Sequence, residues 1–315
     1  MKQWTKVLAV VATVGMFVVL VMGATVTNTG SEHGCGRSWP LCHGQFVPQF
    51  AVRTFIEFSH RAVVGVESIL IIALAAAALM LYWRRRDVRV LSIVMVLFLF
   101  LQAGLGAWAV MAPQLAIVLA LHFGVSLVAF ASVLLTAVVI FEAGSSDPVS
   151  VAPALRAAVW GLTGYSYVVV YLGAYVRHTE ADLACSGWPL CNGAVLPPLT
   201  AGVGTALIHR IAAAVLVIGI AYLVLVTRRI RDLRPDLYRG AWLSLIAVCL
   251  QALAGASIGW TNEDLFSTLA HAGMAGLLFA SLTYLCLEVV PARERSGEPA
   301  RRLERQPVAG TLGSS

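Results

Sequence analysis

The chain has 315 residues, of which 59% are apolar and only 12% are charged, and its mean hydropathy is +0.83. This composition excludes an ordinary soluble domain and indicates a protein that crosses a membrane several times, in contact with lipid. The net charge of +6 does not indicate nucleic-acid binding, because the basic residues lie between apolar segments, where they set membrane topology.

Eight apolar segments are each close to the ~20 residues that a helix needs to cross ~30 Å of hydrocarbon. We predict transmembrane helices, in chain order, at about 7–26, 54–82, 90–111, 116–141, 157–176, 203–227, 240–259 and 267–290. The segment after residue 290 is rich in charged residues, glycine and proline, and its composition predicts a disordered tail at 291–315.

The basic residues predict the orientation of these helices in the membrane. Most of the 22 lysines and arginines lie at the two ends of the chain and in the connections that follow helices two, four and six. Because cytoplasmic segments carry an excess of such residues, we predict that both termini are cytoplasmic. The connections at 27–53 and 177–202, each with two cysteines, would then face the oxidising exterior.

The second half of the chain repeats the first. The residue types match at a separation of 149 positions for five pairs: Cys42 and Cys191, His60 and His209, Arg61 and Arg210, Gln102 and Gln251, and His122 and His271. The loop sequences CGRSWPLCHG at 35–44 and CSGWPLCNG at 185–193 also match. Such self-similarity is typical of a structural unit used twice.

The predicted fold is therefore an all-α integral membrane protein of two tandem four-helix bundles. Because four helices bring the chain back to the same face, the two copies have the same orientation, related by a pseudo-two-fold axis along the membrane normal. We predict a first bundle at 1–141, a cytoplasmic linker at 142–156 and a second bundle at 157–290.

Four histidines begin the even-numbered predicted helices, at a similar depth in the outer half of the membrane: His60, His122, His209 and His271. Ionisable side chains inside membrane helices are costly and suggest a function. Two imidazoles from facing helices suit the axial positions of a haem iron, whereas a zinc site would need three or four ligands close together. The simplest pairing joins the two histidines of each half.

Arginines directly follow two of these histidines. Arg61 and Arg210 could contact the propionates of a bound haem, or their long side chains could extend to the membrane surface. The sequence leaves both interpretations open.

Cysteine pairs lie in the two predicted outer loops, Cys35 with Cys42 and Cys185 with Cys191. A disulfide within each loop is plausible in an oxidising compartment. It could hold the loop as a lid over the pocket below, or it could be a redox-active pair that exchanges electrons or forms a mixed disulfide.

Glu57 is the main difference between the halves, because Ala206 occupies its repeat position. On a helix Glu57 shares one face with His60, three residues later. A carboxylate beside a macrocycle suits proton-coupled oxidation, so we predict that the first half binds the substrate and the second a resident cofactor. Alternatively, Glu57 pairs with Arg61 or Arg53. Glu67, about two turns further, is either a second polar group in the bundle or an arginine's partner.

Together these residues resemble the haem A synthase family, of the bacterial type with cysteine pairs in the outer loops. The resemblance extends from about residue 6 to 291. It is carried by EFSHR at 57–61, the histidine at 122, HR at 209–210, the histidine at 271 and the two WPLC loops.

The resemblance implies a reaction and roles for these residues. In the family, a ring methyl of haem O is oxidised to the formyl group of haem A, which serves terminal oxidases. By motif, His60 and His122 would flank haem O, Glu57 would lie beside its reacting edge, and the second pair of histidines would bind haem b. The cysteine pairs would be disulfides. A bacterial plasma membrane, a haem O synthase as neighbour and cytochrome oxidase assembly are also implied.

Two other functions fit part of the pattern. A di-haem b-type cytochrome that relays electrons from quinol would account for four histidines but not for the difference between Glu57 and Ala206. A haem exporter or chaperone would bind haem without converting it. The electron acceptor is open in every case, with a quinone as one candidate.

Overall fold

The computed structural model describes residues 2–112, 114–142 and 149–291, and within them the chain forms eight long helices. These are α1 (Lys2–Asn28), α2 (Val52–Tyr82), α3 (Arg86–Met111), α4 (Ala116–Phe141), α5 (Pro153–His178), α6 (Ala201–Arg228), α7 (Pro235–Trp260) and α8 (Leu265–Glu288). All eight are long and apolar enough to cross a membrane, which confirms the predicted number and order. Part of the predicted linker, at 143–148, and the predicted tail from 292 lie outside the described residues.

The helices pack in an order that matches the repeat. Each helix contacts the next along the chain, α1 also packs against α4, and α5 against α8. Across the halves, α1 contacts α8, α4 contacts α5, and α4 contacts α8. A two-fold axis between the bundles would exchange α1 with α5 and α4 with α8. This exchange converts the contact between α1 and α8 into the contact between α4 and α5, and both are present. The pattern is the one that the predicted pseudo-symmetry would produce, and the division into two bundles stays a prediction.

Helices α4 and α8 form the centre of the molecule and are the most buried of the eight. Their small and medium apolar side chains allow close packing on several sides, as membrane helix interfaces generally do. In the first half, Phe130 of α4 is almost fully buried and its ring lies 5.7 Å from that of Phe17 of α1. Apolar side chains on α2, α3, α6 and α7 point outward and would face lipid.

Matched ion pairs begin α3 and α7, on the membrane face where α1 begins and α8 ends. Arg85 pairs with Asp87, and Arg234, at the repeat position, pairs with Asp236. Each aspartate lies in the first turn of its helix, where a negative charge interacts favourably with the helix dipole. The repeat is therefore present in side-chain contacts far from the histidines.

The opposite membrane face, which we call the loop face, carries the connections at 29–51 and 179–200. Helices α2, α4, α6 and α8 all begin there. The predicted functional residues therefore gather near one face of the molecule.

Candidate functional site

All four predicted histidines lie at matched depths below the loop face. His60 is the ninth residue of α2 and His209 the ninth of α6, whereas His122 and His271 are each the seventh residue of their helices. With a rise of 1.5 Å per residue, all four lie about 9–12 Å below the starts of their helices. This confirms the similar depth that the sequence predicts.

Each imidazole rests against a glycine of the preceding helix, a feature that sequence reasoning missed. A Cβ atom added to Gly23 would lie 3.4 Å from Cε1 of His60, and one added to Gly106 would lie 3.3 Å from Cε1 of His122. In the second half, a Cβ atom added to Gly173 would lie 2.7 Å from Cε1 of His209. One added to Gly255 would lie 2.9 Å from Cε1 of His271. Glycine leaves room for the four rings, and the matching spacing of these glycines in the two halves was the available signal.

Glutamines at a matched spacing hold two of the histidines. Nε2 of Gln102 lies 3.1 Å from Nε2 of His122, and Nε2 of Gln251 lies 3.3 Å from Nε2 of His271. In addition, Nδ1 of His271 donates a hydrogen bond to the backbone carbonyl of Gln251, at 3.1 Å. With Nδ1 fixed in this way, Nε2 is the nitrogen that would bind a metal, in place of its hydrogen bond with Gln251.

The donor set fits haem better than a bare metal ion. The pairing of His60 with His122, and of His209 with His271, stays a prediction. Nδ1 of His60, His122 and His209 is buried without a hydrogen-bond partner among the described residues. Within those residues, no three or more His, Cys, Asp or Glu side chains gather to hold a metal ion. Two imidazoles per half suit an iron that brings its own macrocycle.

Glu57 is buried, with 3% of its surface exposed, and two donors hold its carboxylate. Oε2 accepts a hydrogen bond of 2.8 Å from the backbone N–H of Cys35, and Oε1 forms an ion pair with Arg61. Arg61 is one of the two partners that the alternative interpretation of Glu57 predicts. It offsets the cost of burying the charge and leaves the carboxylate beside His60, so a role in chemistry stays a prediction.

Arg61 and Arg210 both fasten a loop to a helix. Nη1 of Arg61 donates to the carbonyls of Ser38, at 2.7 Å, and Leu41, at 3.2 Å. Nη1 of Arg210 donates to the repeat-related carbonyls of Gly187 and Leu190, at 2.9 and 3.1 Å. Sequence reasoning missed this role. Contact with haem propionates stays a prediction for both arginines.

The loops that these arginines hold are each closed by a disulfide, as the sequence predicts. Cys35 is bonded to Cys42, and Cys185 to Cys191, and all four residues are buried. The pairing is confirmed, whereas the choice between a structural and a redox-active disulfide stays open.

His43 and Asn192, at repeat-related positions, each bind a backbone carbonyl of their own loop. His43 binds the carbonyl of Gly34 through Nε2 at 3.0 Å, and Nδ2 of Asn192 donates to the carbonyl of Ala184 at 3.2 Å. Both residues have positive φ angles, of 52° and 53°, which asparagine and histidine tolerate better than most residues. Each side chain therefore closes its loop on the residue before the first cysteine.

Comparison with known proteins gives a consistent result over almost the whole chain. The family model of COX15-CtaA, described as cytochrome oxidase assembly protein, matches residues 6–283. The haem A synthase of Bacillus pumilus (strain SAFR-032) is 40% identical over 309 residues, which cover 95% of this chain and 99% of that protein. The haem A synthase of Geobacillus thermodenitrificans is also 40% identical, over 306 residues that cover 96% of each chain.

Proposed function

The chain belongs to the COX15-CtaA family, as a member of the haem A synthases, and we propose that it oxidises a ring methyl of haem O to the formyl group of haem A. It is a multi-pass membrane enzyme that handles haem. The observation that carries the more specific proposal is the buried carboxylate of Glu57, which lies one helical turn before His60 in the first half and is replaced by Ala206 in the second.

The first half would bind haem O as substrate, between His60 and His122. Oxidation of a methyl group to a formyl group, through successive hydroxylations and loss of water, releases both protons and electrons. A nearby base would take up the protons, while the electrons would pass to the acceptor. The carboxylate of Glu57 is held ready for this by Arg61 and by the N–H of Cys35. Because the two donors fix its position, Glu57 can accept a proton without first reorganising.

The second half would hold a resident haem b on His209 and His271. When bound, such a haem supplies one-electron transfer. The fixed Nδ1 of His271 and the glycines beside both rings support this assignment, because they orient the imidazoles and leave space next to them. Arg61 and Arg210, which end beside the loops, would meet the propionates of the two haems.

The basic residues of the connections support an orientation with both termini in the cytoplasm of a bacterial cell and the loop face outside. The disulfides at the loop face agree with an oxidising exterior. Haem O would come from a haem O synthase, and haem A would pass to cytochrome oxidase assembly. Electrons would leave to an acceptor for which a quinone is a candidate.

The pigments of the purified protein test this function. Protein produced with a supply of haem O should contain haem b together with haem O, haem A or an intermediate, and haem A should accumulate with time. A di-haem electron relay would contain haem b in both halves and would form no haem A. Chromatography of the extracted haems, with and without added haem O, distinguishes the two results.

A further inference from the structure

Glu67 is a second buried acid of the first half, with no role in the reaction described above. It lies within α2 with 3% of its surface exposed, and its Oε1 is buried without a hydrogen-bond partner among the described residues. A polar atom without a partner inside a membrane helix is costly and by default marks a site that binds something. The repeat position in the second half is Leu216, which is also buried.

Glu67 faces the same interior space as His60. Its carboxyl group lies against Gly15 of α1, where an added Cβ would collide with Oε2, and His60 lies against Gly23 of the same helix. Seven residues separate Glu67 from His60, so the two side chains project from one face of α2, about 10 Å apart along the helix axis. A macrocycle bound through His60 would therefore extend an edge toward Glu67, on the side away from the loop face.

The second half has no carboxylate at this place among the described residues. Leu216 stands where Glu67 stands, and Tyr165 occupies the position of Gly15 at the separation of 150 that relates Gly23 to Gly173. The hydroxyl group of Tyr165 donates to the carbonyl of Ala212 at 3.1 Å. The two halves thus differ in polarity in the same part of their pockets.

We propose that Glu67 accepts a hydrogen bond from the hydroxyl group on the side chain of haem O, and so helps the first half to choose haem O over haem b. The inference rests on the proposed function. Haem O carries a hydroxylated isoprenoid side chain where haem b carries a vinyl group, so the hydroxyl group is the one polar difference between them. An unpaired acceptor in the haem O half, and a leucine in the haem b half, match that chemical difference.

The test is the ratio of the dissociation constants of haem b and haem O at the first half. The protein, purified with its second half loaded, is titrated with each haem and binding is followed by absorbance. Glu67→Leu should lower the preference for haem O roughly ten-fold, as expected for one hydrogen bond. Glu67→Gln keeps an acceptor oxygen and should retain most of the preference. Ser68→Ala is the matched control, because that hydroxyl group bonds only within α2 and should not affect the ratio.

Gly15→Ala gives an independent variant that keeps Glu67 but displaces its carboxyl group, so it should also lower the preference. If both Glu67→Leu and Gly15→Ala retain the wild-type ratio, the proposal is wrong; should Glu67→Leu fail to fold, Gly15→Ala alone decides. Failure of the proposed function would look different, because the wild-type protein itself would then show no preference for haem O and would form no haem A.

Discussion

Replacing Glu57 by glutamine should stop the conversion of haem O while leaving the protein folded and loaded with haem. The amide has nearly the same shape as the carboxylate and can still accept one of the two hydrogen bonds that Glu57 receives from Cys35 and Arg61. It cannot take up a proton. Glutamine is the better choice over alanine because Glu57→Ala would leave the N–H of Cys35 without its acceptor and Arg61 without its carboxylate.

The expected magnitude follows from these contacts. A positioned general base contributes about 10²–10⁴-fold to a rate, so haem A formation by Glu57→Gln should fall by at least about 100-fold. The stability cost should be smaller, about 1–3 kcal/mol, since one of the two donors loses its acceptor. The hydrogen bond and ion pair that Glu57 forms among the described residues are both within the first half, so the haem b content of the second half should not change.

The assay is the rate at which haem A forms from supplied haem O, measured by chromatography of extracted haems, with the haem b content and the thermal unfolding temperature as controls. Wild-type rates of haem A formation in Glu57→Gln would refute the role of the carboxylate as a base. Glu57→Ala, compared under the same conditions, should lose activity as well and should also loosen the loop that carries Cys35.

Three further predictions concern the second half. His209→Ala and His271→Ala should each lower the haem b content of the purified protein more than its uptake of haem O; unchanged haem b in both would mean that the halves are assigned backwards. Gly173→Ala should lower haem b content by pushing the ring of His209, whereas Gly161→Ala, on the same helix with open space around it, should not; equal content in the two variants would contradict this. Arg210→Ala should speed proteolysis of the connection at 179–200, which limited digestion of the intact protein measures, and a wild-type cleavage rate would argue against the loop contacts.

The helices and the repeat could be predicted from the sequence because their physical cause is local. A run of about 20 apolar residues crosses the membrane whatever its neighbours are, and the structure has a helix at every predicted segment. The matched depth of His60 and His209 could also be predicted, because it depends only on their distance from the helix start. The termini of α1 and α7 extend several residues beyond the predictions, since helices continue past the hydrocarbon boundary.

The contacts around the histidines could not be predicted in the same way, since they depend on which helix faces which. A guanidinium beside a histidine can bind a propionate, a carboxylate or a backbone carbonyl equally well, and only the folded loop shows that Arg61 binds the carbonyl of Ser38. Likewise, His43 is an exposed loop residue, and only the folded turn shows that its ring binds the carbonyl of Gly34. The glycine at 23 has meaning only because α1 crosses α2 at His60.

The contacts of Arg61 connect the position of Glu57 to that of the disulfide loop. This one guanidinium holds both the acid of the first pocket and the backbone of the disulfide loop above it, and the same loop supplies the N–H of Cys35. If this loop moves away from α2, Arg61 and the N–H of Cys35 leave the carboxylate of Glu57 together, and the acid loses the two donors that fix its position. Any opening of the loop is therefore coupled to the position of Glu57.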